Sequence, residues 1–292
     1  MLKICLIPTN FKLRKFVIVL GLIANLLLMK SVIRWIDLNY YNENIYDTWG
    51  SITTNEDWSK AQPLPKNLDK SWLASRKIDN IYYIAHALGG SGTLTANTYA
   101  AFEESRNRGF KLYEVDIFLD EAGHLRCYHG PDTPSAFNPK ESCILDTLLP
   151  MIDKAEGWVV LDIKTDFQIT GNKIIDLVKI NHLSQRVIFQ LYHPDELSWF
   201  SEKARQVSLP VPIVTVYESK RSANHIANHT QKLNIDVLTV PFKRLRSMKK
   251  FNARVKLFTH PIHNCKDWEK VHQGVEINGI YALSSTDIGK CK

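Results

Sequence analysis

Apolar runs of strand length alternate with stretches of helical period from residue 81 to residue 283. The runs predict eight strands, at 81–85, 111–119, 157–164, 187–191, 212–217, 235–240, 255–259 and 279–283. The stretches between them predict helices at 100–108, 144–154, 173–180, 195–206, 222–233, 245–251 and 266–273. Units of about 25 to 30 residues that alternate strand and helix are typical of a parallel barrel or a doubly wound sheet.

Polar residues stand at the carboxyl ends of several predicted strands, and this pattern favours the barrel. TIM-barrel sites are built at that end of the barrel, from residues of different strands. The strand-end residues are His86, Gln190, Tyr192, Tyr217, Thr259 and His260. We therefore predict an α/β fold, a (β/α)8 TIM barrel, over residues 79–292.

Two carboxylates share one face of the second predicted strand. Glu114 and Asp116 are two residues apart, and successive side chains of a strand point to opposite faces. Unpaired carboxylates on a buried face are costly, so the pair either faces solvent or shares a cation. His86 ends the first strand and His129 ends a short return strand at 124–130, so two histidines bracket the two acids in the sequence.

The ordered set from His86 to His129 resembles the opening pattern of the glycerophosphodiester phosphodiesterases, which are TIM barrels that bind a divalent cation. The matching stretches read I-A-H-A-L-G-G, N-T-Y-A-A-F and G-F-K-L-Y-E-V-D-I-F-L-D-E-A-G-H-L-R-C-Y-H. The resemblance implies that His86 and His129 are the paired general acid and base. It also implies that Glu114, Asp116 and Asp162 bind the cation, Mg²⁺ or Ca²⁺.

The resemblance suggests further residues that contact the phosphate or the rest of the substrate. These are Lys164, Gln190, Tyr192, Tyr217 and His260. Lys164 follows Asp162 by two residues on the same predicted strand face, and this aspartate stands where the family often has glutamate. A proline interrupts the H-T-x-N-like string of related enzymes at 260–264, so the roles of His263 and Asn264 stay open.

Two positions depart from the family pattern. Ala87 follows the first histidine, where the family has an arginine that grips phosphate, and Gly130 follows the second, where the family has aspartate. Lys164 is a candidate for the missing positive charge, although an ammonium group does not reproduce a bidentate guanidinium. The alanine also resembles a divergent branch that includes phosphatidylinositol-specific phospholipase-like proteins and the sphingomyelinase D toxins, which pair E-x-D with D-x-K. A sphingomyelinase D-like reaction that releases a cyclic phosphate therefore stays as an alternative.

The amino terminus predicts a membrane anchor. Phe16–Met29 is apolar apart from Asn25, follows four basic residues and precedes no small-x-small cleavage site. We expect an uncleaved, single-pass signal-anchor helix within 1–35, with a cleaved signal peptide and a buried helix as alternatives. The segment 36–78 is then either a linker or a piece that packs its Trp and Tyr side chains on the barrel.

The positive charge is concentrated at the amino terminus. Residues 1–36 hold six Lys or Arg and no Asp or Glu, which leaves 31 of the 37 basic residues against all 30 acidic ones. A nucleic-acid partner needs a basic face on the folded domain, so we predict none. By the positive-inside rule, the basic tail stays cytoplasmic and the barrel is exported to a periplasmic or other extracytoplasmic space.

Five cysteines are compatible with an oxidising compartment. Cys127 and Cys143 flank the loop that carries His129, while Cys265 and Cys291 follow the last two predicted strands. Each pair is a candidate disulfide, and free thiols stay open because spacing does not fix connectivity.

The predicted function is metal-dependent hydrolysis of a phosphodiester small molecule or a lipid headgroup by a membrane-anchored barrel. In the family class that the chain resembles, a neighbouring substrate hydroxyl attacks phosphorus and two histidines move the protons. A non-catalytic barrel that binds an anionic lipid or polymer is the alternative from another class, with Ala87 and Gly130 as marks of decay. A serine hydrolase lacks support, because the chain has no G-x-S-x-G elbow.

Overall fold

The computed structural model describes residues 56–75, 77, 80–90, 96–131, 142–216, 223–242, 245, 254–272 and 276–286. Its strands are β1 Tyr82–Ala85, β2 Leu112–Leu119, β3 Leu125–Cys127, β4 Trp158–Ile163, β5 Val187–Leu191, β6 Ile213–Thr215, β7 Val237–Pro241, β8 Lys256–Ile262 and β9 Gly279–Ala282. Its α-helices are α1 Tyr99–Asn107, α2 Leu145–Lys154, α3 Phe167–Ile180, α4 Pro194–Lys203, α5 Ala223–Leu233 and α6 Cys265–His272. Short 3-10 helices lie at Trp58–Lys60, Ser71–Ala74, His86–Gly89 and Ser184–Arg186.

Eight parallel strands close into a barrel, which confirms the predicted TIM-barrel architecture. The pairing runs through β1, β9, β8, β7, β6, β5, β4 and β2, and β1 also pairs with β2 to complete the ring. Strand β3 lies outside the ring, because it pairs antiparallel with the end of β2. It is the predicted return strand, and it leads back to the mouth of the barrel.

The register between β2 and β4 determines where the acidic residues lie. Asp116 is paired with Asp162, and Glu114 is two residues earlier on the same face. The intervening residues of β2, Tyr113, Val115 and Ile117, belong to the apolar layer between the strands and the helices. The carboxylates therefore project into the barrel interior, where water cannot fully solvate them.

The amino-terminal end of the barrel is filled by a separate apolar cluster. Trp72 is fully buried in it, its indole nitrogen donates to the carbonyl oxygen of Val211 at 3.0 Å, and its ring packs edge-on against Tyr82 and Phe258. Trp58 is fully buried among residues of the outer layer, in a short helix that contacts α5. The described part of the segment before β1 thus packs its tryptophans on the barrel.

Helix α3 begins at Phe167, six residues before the predicted start. Asp166 caps it, because its carboxylate accepts a hydrogen bond from the amide of Ile169 at 2.9 Å. The sequence pattern did not predict this first turn, because it contains Gly171 and glycine disfavours helices. The glycine is needed for packing: a Cβ atom there would lie 2.6 Å from the ring of Trp199.

Several predictions fall on residues that the structure does not describe. They are the signal-anchor helix at Phe16–Met29, nearly all of the helix at 245–251, the strand-end residue Tyr217, and Cys291. Among the described helices, none is long and apolar enough to cross a membrane. The disulfide between Cys127 and Cys143 is confirmed, with Cα atoms 5.0 Å apart.

Candidate active site

A cavity of about 470 Å³ opens at the carboxyl ends of the barrel strands. It brings together eight of the ten predicted site residues: His86, Asp116, His129, Asp162, Lys164, Gln190, Tyr192 and His260. Glu114 joins them through the acidic cluster described next, and the tenth, Tyr217, lies outside the described residues. Asn97, Thr215, Thr239 and His263 also line the cavity.

Three carboxylates converge at the base of this cavity. Glu114, Asp116 and Asp162 each offer an oxygen atom, and these atoms all lie within 4.8 Å of one another. The residues are only 2%, 6% and 6% exposed. Burial, together with the neighbouring acids, raises the pKa of Glu114 well above its usual value, and burial raises that of Asp162 to about 6. Such a group of oxygen ligands fits a hard divalent cation, which would offset the repulsion.

Hydrogen bonds from the loop after β1 hold two of the acids in place. The amide of Ala87 donates to a carboxylate oxygen of Glu114 at 2.7 Å. Asn97 and Asp116 form a reciprocal pair: the asparagine amide donates to the carboxylate at 2.7 Å, and its oxygen accepts from the backbone amide of Asp116 at 3.1 Å. The loop therefore sets the orientation of both carboxylates.

Asn97 is a site residue that sequence reasoning missed. Its φ of 59° lies in the left-handed region, which asparagine tolerates better than most residues. It directly precedes Thr98, whose hydroxyl caps α1 by accepting from the amide of Ala101. The only signal in the sequence was this Asn-Thr pair before a helix, which also fits a purely structural cap.

Asp162 is held by three donors on one oxygen. Its Oδ2 accepts from Lys164 Nζ at 2.7 Å, from the Tyr192 hydroxyl at 2.7 Å and from Gln190 Nε2 at 3.0 Å. Lys164 Nζ also lies 3.3 Å from Asp116 Oδ1. Burial lowers the pKa of Lys164, but the negative charges of Asp162 and Asp116 raise it by more. The net shift of the pKa is upward, so the ammonium stays charged.

His86 lies in a group of three imidazoles beside the acids. Its Nε2 is 4.0 Å from a carboxylate oxygen of Glu114, and its ring centroid is 4.5 Å from that of His260 and 5.5 Å from that of His263. Burial, with smaller effects of His263 and Lys164, lowers the pKa of His86 to about 4 despite the opposing charge of Asp116. Burial likewise places the pKa of His260 well below its usual value. Both rings are neutral at pH 7.

His129 reaches the same cavity from the return strand. The preceding residue, Tyr128, donates its amide to the carbonyl oxygen of Asp116 at 2.9 Å, and the Cys127–Cys143 disulfide lies directly before it. Gly130 has φ of 126°, a conformation that residues with a side chain rarely adopt. The backbone therefore accounts for glycine at a position where the resemblance predicted aspartate.

Comparison with known proteins gives matches in solved structures alone. No protein-family model matches the chain, and no curated protein matches it. A glycerophosphodiester phosphodiesterase from Parabacteroides distasonis has a TM-score of 0.56 at 16% identity, over 70% of this chain and 92% of its own. A phosphodiesterase from Oleispira antarctica, in complex with the product sn-glycerol-3-phosphate, has a TM-score of 0.52 at 16% identity, over 69% and 92%. A glycerophosphodiester phosphodiesterase from Thermotoga maritima has a TM-score of 0.50 at 16% identity, over 71% and 96%.

The chain has the fold of these phosphodiesterases. The comparison covers most of each relative, so the barrel is aligned as a whole rather than as a fragment. At 16% identity it establishes the fold, and the chemistry has to be argued from the residues of the site. The stretch from His86 to His129 that resembles the glycerophosphodiester phosphodiesterases thus lies in a barrel of the same fold as theirs.

Proposed function

We propose that this protein is a divalent-cation-dependent phosphodiesterase that cleaves a glycerophosphodiester or a related headgroup phosphodiester. The observation that carries the proposal is the convergence of Glu114, Asp116 and Asp162 within 4.8 Å, at a cavity that His86 and His129 also line. This arrangement stands at the carboxyl ends of the strands, where TIM-barrel enzymes build their active sites.

The three carboxylates would hold Mg²⁺ or Ca²⁺, since both ions prefer oxygen ligands. When bound, the ion would supply positive charge that neutralises the phosphoryl oxygens as the reaction proceeds. Lys164 adds a second positive charge to the same side of the cavity, through its contacts with Asp162 and Asp116. The phosphate of a phosphodiester would therefore meet two positive groups, the ion and the Lys164 ammonium, whose charges balance those of the three acids.

The two histidines would move the protons. His86 is neutral at pH 7, so its imidazole lone pair is available to accept the proton of the attacking hydroxyl. His129, on the return strand, would then protonate the departing alkoxide. His86 is only partly exposed whereas His129 is exposed, so the two rings have different environments, which is the usual basis for separate acid and base roles.

Two observations bear on the substrate class. The Oleispira antarctica phosphodiesterase holds sn-glycerol-3-phosphate, which supports a small phosphodiester as the substrate here. Ala87 offers a backbone amide to Glu114 and no cationic side chain to the substrate, whereas Lys164 contacts Asp162. This D-x-K contact favours, as a second candidate, the branch of the resemblance that releases a cyclic phosphate.

A turnover assay tests the proposal. The purified protein should cleave glycerophosphocholine or lysophosphatidylcholine, lose activity in EDTA and regain it with Ca²⁺ or Mg²⁺. We expect His86→Ala to lower kcat by at least about 100-fold, since positioned proton transfer contributes about that much. Glu114→Gln should also lower activity, because it removes a charged ligand of the cation. Asp120→Asn is the matched control, because that partly exposed carboxylate pairs with Arg126 and does not line the cavity.

The products separate the candidate reactions. Phosphorus NMR distinguishes a cyclic phosphate from a phosphomonoester, so it separates the sphingomyelinase D-like reaction from complete hydrolysis. Binding of these compounds without turnover would support the non-catalytic barrel. Unchanged turnover in Glu114→Gln and His86→Ala would refute the assignment of this cavity.

We also propose that the apolar run Phe16–Met29 anchors the protein in a membrane, with the barrel on the extracytoplasmic side. The support is the apolar length of the run and the basic residues before it. Protease digestion of intact cells or spheroplasts tests this proposal. The barrel should be cleaved from the outside, and protection of the barrel until lysis would contradict the predicted orientation.

A further inference from the structure

The two oxygens of Asp162 have different surroundings. Oδ2 accepts three hydrogen bonds, from Lys164, Tyr192 and Gln190. Oδ1 is buried and has no hydrogen-bond partner in the described part of the chain. An unpaired buried carboxylate oxygen is costly, and Asp162 belongs to the acidic cluster. Oδ1 is therefore the oxygen of Asp162 that a cation would bind.

The donors on Oδ2 are themselves held in place from the far side of the barrel. The Tyr281 hydroxyl donates to Gln190 Oε1 at 2.7 Å, and the amide nitrogen of Gln190 donates to the Tyr192 hydroxyl at 2.6 Å. Tyr281 lies on β9 and Gln190 on β5, which are opposite each other in the ring of eight strands. A chain of hydrogen bonds thus crosses the barrel from Tyr281 to Asp162.

The direction of this chain depends on the Tyr281 hydroxyl. An amide side chain presents an oxygen on one side and two N–H donors on the other. Because Tyr281 donates to the oxygen of Gln190, the N–H groups face Tyr192 and Asp162. If that donor were lost, the amide could turn its oxygen toward the carboxylate. Burial keeps the pKa of Tyr281 far above 7, so its hydroxyl stays a donor.

We propose that Tyr281 is a positioning residue for the cation site, acting through Gln190 to keep Oδ1 of Asp162 directed at the ion. The proposal rests on the cation site of the proposed function. Partners that orient a metal ligand typically change metal affinity by about 10-fold to 100-fold when they are removed. Tyr281 would thus influence cation binding although it is not itself a ligand.

Tyr281→Phe tests this role and retains the ring. That ring is fully buried and lies 5.0 Å from His260, so the phenylalanine preserves its packing. Calorimetric titration of the full chain with Ca²⁺ should give a Kd about 10-fold to 100-fold weaker than that of the wild type. Tyr113→Phe is the matched control: its hydroxyl is also buried and donates to the carbonyl oxygen of Phe110 at 2.6 Å, on the outer side of the barrel wall. The control should retain the wild-type Kd within about twofold.

A double variant separates the proposed role from a general loss of packing. Gln190→Met interrupts the same chain of hydrogen bonds, so adding Tyr281→Phe to it should weaken Ca²⁺ binding no further. Equal Kd values for the wild type and Tyr281→Phe would overturn the proposal, as would fully additive losses in the double variant. Thermal unfolding in EDTA identifies a variant that fails to fold. If Tyr281→Phe fails to fold, the Kd of Gln190→Met for Ca²⁺ is compared with that of the wild type. Equal values would overturn the proposal, because Gln190 is the link between Tyr281 and Asp162.

The titration does not depend on turnover. A wild type that binds Ca²⁺ but cleaves no phosphodiester contradicts the proposed function and leaves the role of Tyr281 testable. A wild type that binds neither Ca²⁺ nor Mg²⁺ overturns the role of Tyr281. If hydrolysis then persists in EDTA, the protein is a phosphodiesterase that does not need a cation.

Discussion

Replacing Glu196 with glutamine removes a partly buried carboxyl group and retains its hydrogen-bond acceptor. One oxygen of Glu196 accepts from the amides of Tyr192 at 2.6 Å and His193 at 3.3 Å, at the start of α4. This side chain therefore fixes the turn that carries Tyr192 into the candidate active site. Burial raises the pKa of Glu196 to about 7, outweighing the two amide donors, which lower it.

The size of the effect follows from the difference between the folded and unfolded pKa values. The rise from 4.5 to about 7 corresponds to at most about 3 kcal/mol, since each pKa unit is worth about 1.4 kcal/mol. The folded protein binds the proton more tightly, so the stabilisation is complete below about pH 4.5 and is lost as the pH rises through about 7. Glutamine does not ionise, so Glu196→Gln should gain up to about 3 kcal/mol over the wild type across that range.

Urea unfolding in EDTA, at several pH values between about 5 and 8, measures this difference. Glu202→Gln is the control, because Glu202 is exposed near the end of the same helix. Its free energy of unfolding should follow that of the wild type at every pH. A difference between Glu196→Gln and the wild type that stays constant with pH would refute the reasoning, because it would mean that the carboxyl is already ionised at pH 5.

Two further predictions concern packing and the disulfide. Gly171→Ala should lower the free energy of unfolding by about 1 kcal/mol, because overpacking against Trp199 costs about 1–3 kcal/mol and exceeds the gain in helix propensity of about 1 kcal/mol. Asn172→Ala, on the exposed face of the same turn, should instead be neutral or slightly stabilising in urea unfolding. Equal effects of the two variants would contradict the steric argument. Replacing both Cys127 and Cys143 with serine should lower the free energy of unfolding by about 3 kcal/mol, as expected for a closed loop of about 15 residues. An unchanged urea midpoint would show that the bridge does not constrain the unfolded chain.

The acidic residues were predictable because their geometry follows from short-range rules. The two-residue spacing of Glu114 and Asp116 fixes a shared face. Asp162 was named from the family resemblance, and the register of the neighbouring parallel strand places it next to Asp116. The histidines were predictable for a similar reason, since each ends a strand and strand ends meet at one edge of a barrel. The fold follows from the alternation of strand and helix, which the structure confirms over the described elements.

The residues that orient the acids were not predictable from local patterns. Tyr281 lies in an apolar run and resembles any core aromatic residue, while its hydroxyl acts on Gln190, 91 positions earlier in the chain. Asn97 depends on a left-handed backbone conformation in the loop before α1. Trp72 closes the amino-terminal end of the barrel through contacts with Tyr82 and Phe258, which only the closed ring brings together. Each of these contacts is set by tertiary structure.

The charges of the acidic cluster and Lys164 bear on the valence of the proposed cation. Glu114, Asp116 and Asp162 carry three negative charges when ionised, and Lys164 contributes one positive charge through its ion pairs. Burial keeps His86 and His260 neutral at pH 7, so these rings add no charge. With all three acids ionised, the acidic cluster and Lys164 together would carry two negative charges, a state that the raised pKa values of Glu114 and Asp162 show to be unfavourable. A dication would restore neutrality, whereas a monovalent ion would leave one buried charge uncompensated. A further lysine would need space between oxygens that already lie within 4.8 Å of one another.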